Sequence, residues 1–131
     1  MTFRRTKNFS IYLSEKDSSQ LSSPAKITAA LKSENVIAFN IYIDDALIGF
    51  AMFYKFDENG YFLWDFAIDS RYQNKHYGTK ALRKLLLLMK NEYSCKIVTT
   101  NYQLYAVIEP FVLMFHDNAC TIFVFFHNMS Y

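Results

Sequence analysis

Apolar residues in this chain fall into blocks separated by short polar breaks. Val36 to Ile43, Leu47 to Phe56 and Tyr61 to Ile68 are three such blocks, rich in β-branched and aromatic residues. Asp44-Asp45 makes a tight connection between the first two, and Asn59-Gly60, a strong hairpin signal, precedes the third. The pattern predicts an antiparallel meander. The first two blocks are apolar almost throughout, which predicts strands covered on both faces. From Gly78 to Asn91 the period changes. Ala81, Leu82, Leu85, Leu86 and Met89 share one helical face, with Arg83, Lys84 and Lys90 nearer solvent. Cys95 to Thr100 reads as a further short strand. Strand, helix, strand in that order predicts a right-handed crossover with parallel pairing. The expected fold class is therefore α+β (α/β): a mixed sheet in which an antiparallel meander is followed by a β-α-β crossover.

The two ends are less regular. Thr2 to Leu13 is weakly strand-like, and Ser14 to Ser23 reads as loop or a short irregular helix. Ser23-Pro24 is a helix start, because Ser caps and Pro fits the first helical position, so Ala25 to Lys32 is predicted helical. Tyr102 to Phe115 fits either helix or strand and is broken at Pro110, while Thr121 to Phe126 predicts a last strand. No repeat or linker divides the chain, so residues 1–131 are expected to form a single domain.

Composition narrows the class. The chain has 131 residues, 52% hydrophobic and 18% aromatic, which excludes disorder and predicts a packed core. A net charge of +2 is too weak to propose a nucleic-acid partner, and Arg4, Arg5 and Lys7 read as a solvated cluster. Cys95 and Cys120 both lie in apolar runs, which predicts buried thiols and a cytoplasmic protein. Neither has a His at metal or nucleophile spacing, so no metal site is expected. The first residues are charged with no apolar core behind them, unlike a secretory leader. The apolar region Tyr105 to Phe126 is interrupted by Glu109, Pro110, His116, Asp117 and Asn118, so no membrane span is expected.

The candidate chemistry lies between the third strand and the long helix. Gln73-Asn74-Lys75-His76-Tyr77-Gly78-Thr79 is a short loop opening onto a helix start. The first turn of a helix has N–H groups without partners and the positive end of the macrodipole, and an anion satisfies both. Lys75 and Lys80 either add positive charge beside it or form a solvated face.

With these residues the chain resembles the GCN5-related N-acetyltransferase superfamily. The resemblance covers roughly Val36 to Asn101. It rests on Phe66-Ala67-Ile68-Asp69, then Arg71-Tyr72-Gln73-Asn74-Lys75-His76-Tyr77-Gly78 opening a helix, and on Ile48-Gly49-Phe50 after an acidic turn. Trp64-Asp65-Phe66-Ala67-Ile68-Asp69 resembles the spermine/spermidine acetyltransferase-like branch. The resemblance implies acetyl-CoA as cofactor. It implies backbone pairing of the pantetheine arm along Phe66, Ala67 and Ile68, and a pyrophosphate on the N–H groups of Gln73, Asn74, Lys75, His76, Tyr77, Gly78 and Thr79. Asn101 stands where a further family motif begins.

Such a transfer needs a neutral amine, a donor for the charge that develops on the carbonyl oxygen, and a proton for the departing thiolate. Asp65 is a candidate base, or else a structural strand residue. The resemblance implies a Tyr as the acid from the segment after the second parallel strand, where Tyr102 and Tyr105 lie; Tyr105 is the candidate, against ordinary packing. The implied acceptor is a primary amine of a small molecule, and a polyamine would suit the acidic Asp44, Asp45, Asp57 and Glu58, which equally fit solvated turns. Two departures from the family pattern stand out. His76 replaces a usual Gly, so that either the loop is strained or the imidazole reaches phosphate, and the Phe-rich Tyr102 to Tyr131 does not follow the usual ending. These departures support the alternative of an impaired domain that binds CoA or a protein partner without turnover. The apolar tail also raises the expectation of a homodimer.

Overall fold

The computed structural model describes residues 1–19 and 21–100, together with the backbone of residues 121–122. The elements in chain order are β1 (Thr2–Arg5), α1 (Glu15–Ser18), α2 (Pro24–Ala30), β2 (Val36–Ile43), β3 (Ala46–Asp57), β4 (Gly60–Ile68), a 3-10 turn (Ser70–Tyr72), α3 (Tyr77–Glu92), β5 (Ile97–Thr100) and β6 (Thr121–Ile122). The strands form one sheet in sequence order, β1-β2-β3-β4-β5-β6. β1 to β4 pair antiparallel, and β4, β5 and β6 pair parallel. This is the mixed α+β sheet expected from the pattern, with α3 as the crossover element.

Both faces of the sheet are covered. On one, Leu82, Leu85, Leu86 and Met89 of α3 pack on Phe39, Ile41, Phe53, Leu63, Phe66 and Ile68. On the other, Ile27 and Leu31 join Ile11, Val36, Ala38, Phe50 and Met52. Each fully buried side chain of this size contributes about 1.5–3 kcal/mol. Period-2 alternation on β2 and β3 sends neighbours to opposite clusters, so these strands read as continuous apolar runs.

Several boundaries differ from expectation. β1 ends at Arg5, so the predicted strand from Thr2 to Leu13 is shorter. Its later half crosses to the α2 face, where the Phe9 ring meets Phe50 edge-on at 4.9 Å. The helix expected over Ala25 to Lys32 runs from Pro24 to Ala30, with the Ser23 hydroxyl accepting the Lys26 N–H. The β3–β4 hairpin turns at Glu58-Asn59, and Gly60 is the first strand residue, opposite Asp57. Gly60 has no positive φ; its role is space, because a Cβ there would lie 2.6 Å from the Phe56 ring. The strand expected from Cys95 begins at Ile97, because Cys95 and Tyr93 donate their N–H groups to Met89 O and close α3 instead.

β4 carries a bulge. Met52 pairs with Asp65 and Phe53 with Leu63, so Trp64 is the extra residue. Leu63 and Phe66 both face α3, whereas Trp64 packs with the α2-side cluster and Asp65 bonds to Ser22 beside α2. One extra residue thus re-aims two side chains. The described β4–β5 pairing ends at Leu63–Thr100, where Thr100 Oγ1 donates to Leu63 O at 2.9 Å.

Candidate functional site

The site grows from the end of β4. Asp69 donates its N–H to Ile48 O on β3 at 2.8 Å. By strand alternation, Phe66 and Ile68 then present their N–H and C=O groups to the opposite, outer edge. Gln73 Nε2 donates to Ile68 O there at 2.9 Å and folds the loop back on the strand end.

The corner after β4 is built from short polar side chains. Asp69 is buried, accepts the N–H groups of Tyr12 and Arg71, and forms an ion pair with the exposed Arg71 guanidinium at 2.7 Å. Those Arg71 bonds hold the Asp69 carboxyl down at about 2, so it is ionised throughout the working range. Ser70 Oγ accepts the Ser14 N–H at 2.8 Å and donates to Asp17 Oδ2 at 2.5 Å. The bond from Ser70 lowers the Asp17 pKa. These bonds fasten α1 against the β4–α3 corner.

The loop reaches α3 through two left-handed residues, Asn74 (φ 64°) and His76 (φ 63°). His76 is the cap of α3, with ψ 16° and no side-chain cap bond, and the first turn holds no acidic residue. The first cap bond runs from Lys80 N to His76 O at 3.3 Å, so the N–H groups of Tyr77, Gly78 and Thr79 lack helical partners. Of the two outcomes open for His76, the backbone takes the strained one, which for a non-Gly residue costs about 1–2 kcal/mol.

These parts line an open cavity of about 360 Å³. Phe66, Ala67 and Ile68 of the strand, Gln73, Asn74 and His76 of the loop, and Tyr77, Gly78 and Thr79 of the helix all line it. Lys75 is exposed outside it, its Nζ 5.9 Å from the Tyr72 ring centre. Asp65 is not among the lining residues. It is 2% exposed; its Oδ1 accepts the Ser22 N–H at 3.0 Å, and Oδ2 has no partner among the described residues. Burial pushes its carboxyl up to about 6, against the opposing Ser22 bond. Tyr105, Tyr102 and Asn101 lie outside the described residues, as do Cys120 and the tail.

The cavity is also lined by Leu13, at the end of the stretch expected as a weak strand, and by Asp17 and Leu21, from the stretch expected as loop or a short irregular helix. The signal was present. Ser14-Glu15-Lys16-Asp17 has capping-box spacing, and the Ser14 hydroxyl does accept the Asp17 N–H at 3.2 Å. Asp44-Asp45 and Glu58 sit in exposed hairpin turns, with Asp57 at an exposed strand end, and none of them lines the cavity.

An anion fits these donors. The three orphan N–H groups and the helix dipole select negative charge, and the outer edge of β4 beyond Leu63, with no strand paired to it among the described residues, can pair with an extended amide chain. Residues 6–109 match the sequence profile of the Acetyltransferase (GNAT) family, and the chain belongs to that family. The fold is similar to that of a GNAT family acetyltransferase from Elizabethkingia anophelis solved with acetyl-CoA bound. There the TM-score is 0.55 at 18% identity, over 72% of this chain and 60% of that one. It is also similar to Tetrahymena GCN5, with TM-score 0.51 and 18% identity, over 59% of this chain and 51% of that one. A possible acetyltransferase from Clostridium difficile 630 gives 0.51 and 15%, over 82% and 76%. The chain thus spans about half to three fifths of the first two. No curated protein sequence matches it. No helix among the described residues is long and apolar enough to cross a membrane.

Proposed function

We propose that the protein is an N-acetyltransferase that moves an acetyl group from acetyl-CoA to a primary amine of a small molecule. The observation that carries this is the meeting, in one cavity, of the outer β4 edge at Phe66 and Ile68 with the open first turn of α3. The N–H groups of Tyr77, Gly78 and Thr79, with the loop Gln73 to His76, hold the diphosphate. The outer edge of β4 at Phe66 and Ile68 pairs with the pantetheine amides, and Ala67 between them, paired to β3, lines the cavity.

When bound, acetyl-CoA supplies an acyl carbon activated by its thioester. The transfer then makes an N–C bond, breaks the C–S bond and moves one proton from nitrogen to sulfur. An alkylammonium with pKa near 10.4 must first lose a proton, and Asp65 is the group proposed to take it. A carboxyl raised to about 6 is a better proton acceptor than an ordinary one, and its unpartnered Oδ2 has room for that proton. Tyr105 is proposed as the acid that protonates the thiolate. A polyamine acceptor is the finer form of this reading; Asp17, ionised on the cavity wall, supports it. Cytoplasmic residence and a homodimer belong to the same proposal, with cell fractionation and light scattering as their tests.

One observation favours a second reading, a domain that binds CoA without turnover. Asp65 is buried and already engaged by Ser22, and it stands outside the cavity. Thiol release from acetyl-CoA over a panel of amines decides between them. Release above the rate with acetyl-CoA alone supports transfer. Binding without release over the whole panel supports the second reading.

A further inference from the structure

Charge is unevenly placed along the chain. Between Asp69 and Glu92 there is no acidic residue but six basic ones: Arg71, Lys75, Lys80, Arg83, Lys84 and Lys90. These six carry +6, so with a net charge of +2 the remainder of the chain carries −4. Arg71 is paired to Asp69. Lys80, Arg83 and Lys84 are exposed together on the outer face of α3, around the exposed Leu87 and opposite the buried face of the helix. Among the described residues neither Lys80 nor Lys84 has an ion-pair partner. Lys75 is exposed between Asn74 and His76, which both line the cavity, so the basic stripe begins beside it.

The fold gains nothing from this placement. Positive charge near a helix start opposes the macrodipole, and like charges three or four residues apart repel. α3 has Lys80 close to its start, no acid in its first turn, and Lys80 spaced to meet both Arg83 and Lys84. A polyanion at the helix start would make each of these charges favourable. CoA is such an anion, with about four negative charges at neutral pH on its diphosphate and terminal phosphate. The remainder of the chain repels it, and so does Asp17, ionised on the cavity wall. We infer that the outer face of α3 is a capture surface for the cofactor, which speeds its association through long-range attraction and selects it by charge. The inference rests on the cofactor reading of the cavity and deepens it. Lys80, Lys84 and Lys90 stand about 3, 9 and 18 Å along the helix axis from Gly78 in the open turn. The screening length is about 8 Å at physiological ionic strength. Lys84 therefore acts from about one screening length and Lys90 from about two, so their effects are graded by distance and vanish in high salt. Fields of this kind raise association rates by about tenfold or more, which over about five charges is roughly twofold each.

The test is stopped-flow association of the full chain with CoA carrying a fluorophore on its thiol, from low salt to about 1 M salt. At low salt Lys84→Gln should slow association by about twofold and Lys84→Glu by about fourfold, with dissociation unchanged. Lys90→Gln should act less than Lys84→Gln. Lys26→Gln, exposed on α2 across the sheet, alters the net charge equally and should have the smallest effect. In high salt all variants should converge on the wild type. Dephospho-CoA with the same label, lacking the terminal phosphate, should associate more slowly and with a shallower salt dependence. Lys84→Gln removes a like-charge pair, so its Tm should equal or exceed that of the wild type, and a slower rate is then no folding defect. Unchanged association in Lys84→Glu, an effect confined to dissociation, or a Lys26→Gln effect as large as that of Lys84→Gln overturns the inference. If labelled CoA binds and one of these is seen, the inference falls and the cofactor reading stands. If neither labelled CoA nor acetyl-CoA binds, the cofactor reading falls and the inference with it.

Discussion

Replacing His76 by Gly should stabilise the protein, although it removes a side chain from the candidate site. His76 caps α3 at φ 63° and ψ 16°, its side chain is exposed, and it makes no cap bond, so the imidazole contributes no bond that Gly would lose. The left-handed backbone costs a non-Gly residue about 1–2 kcal/mol. Gly gives back about 0.4–1 kcal/mol through the greater freedom of the unfolded chain. The difference leaves roughly 0.5–1 kcal/mol in favour of His76→Gly, which for a domain of this size raises Tm by about 2–5 °C. Asn74, at φ 64°, is the internal control, because Asn tolerates this region and Asn74→Gly should gain less. Thermal unfolding of the three proteins at one pH measures this. A lower Tm for His76→Gly, or a larger gain for Asn74→Gly, would refute the strain argument. The same variant bears on binding. If backbone geometry governs anion capture, His76→Gly binds CoA at least as well as the wild type, while a role for the imidazole predicts weaker binding.

Stability should fall as pH rises from about 4 to about 6. The Asp65 carboxyl titrates at about 6 in the folded chain, against an ordinary value of 3.8 once unfolded, so between these values the folded protein holds the extra proton. The loss is on the order of 3 kcal/mol, should vanish in Asp65→Asn, and is read from denaturant midpoints across that range. Asp69 acts with the opposite sign but only below its ordinary range: its contribution is lost as pH falls toward about 2. Gly49→Ala should cost about 1–3 kcal/mol by overpacking, since the new Cβ lies 3.0 Å from both Ala67 O and Ile68 Cδ1; chemical denaturation tests it. Ser70→Ala removes the acceptor for Ser14 N–H and the donor to Asp17, and should cost about 1–3 kcal/mol. It should also speed amide exchange in residues 13–18 more than in α3.

The meander, α3 and the loop between β4 and α3 were legible because period and turn chemistry are local. The three apolar blocks needed only counting, and the helical stripe from Ala81 to Met89 matches the buried face. The strand, loop and helix residues around the cavity were legible for the same reason, since backbone roles depend on where a strand hands over to a helix. What was not legible depends on contacts across the chain. The α1 wall exists because Ser70 and Asp69 capture Ser14, Asp17 and Tyr12 from more than fifty residues away. The bulge at Trp64 leaves no mark in sequence, because an extra residue in a strand is visible only against its partner. Without it, Trp64 and Asp65 would face opposite sides of the sheet. The left-handed His76 is the reverse case. Its identity argued against that geometry, and the demand for an open helix start prevailed.

Calorimetric titration of the full chain with acetyl-CoA, paired with thermal unfolding, tests most directly whether the open turn of α3 holds a diphosphate. The account predicts one site, and at one hundred times the dissociation constant a stabilisation of roughly 2.7 kcal/mol. It also predicts that inorganic pyrophosphate competes for that site. No heat and no shift at millimolar acetyl-CoA would contradict it.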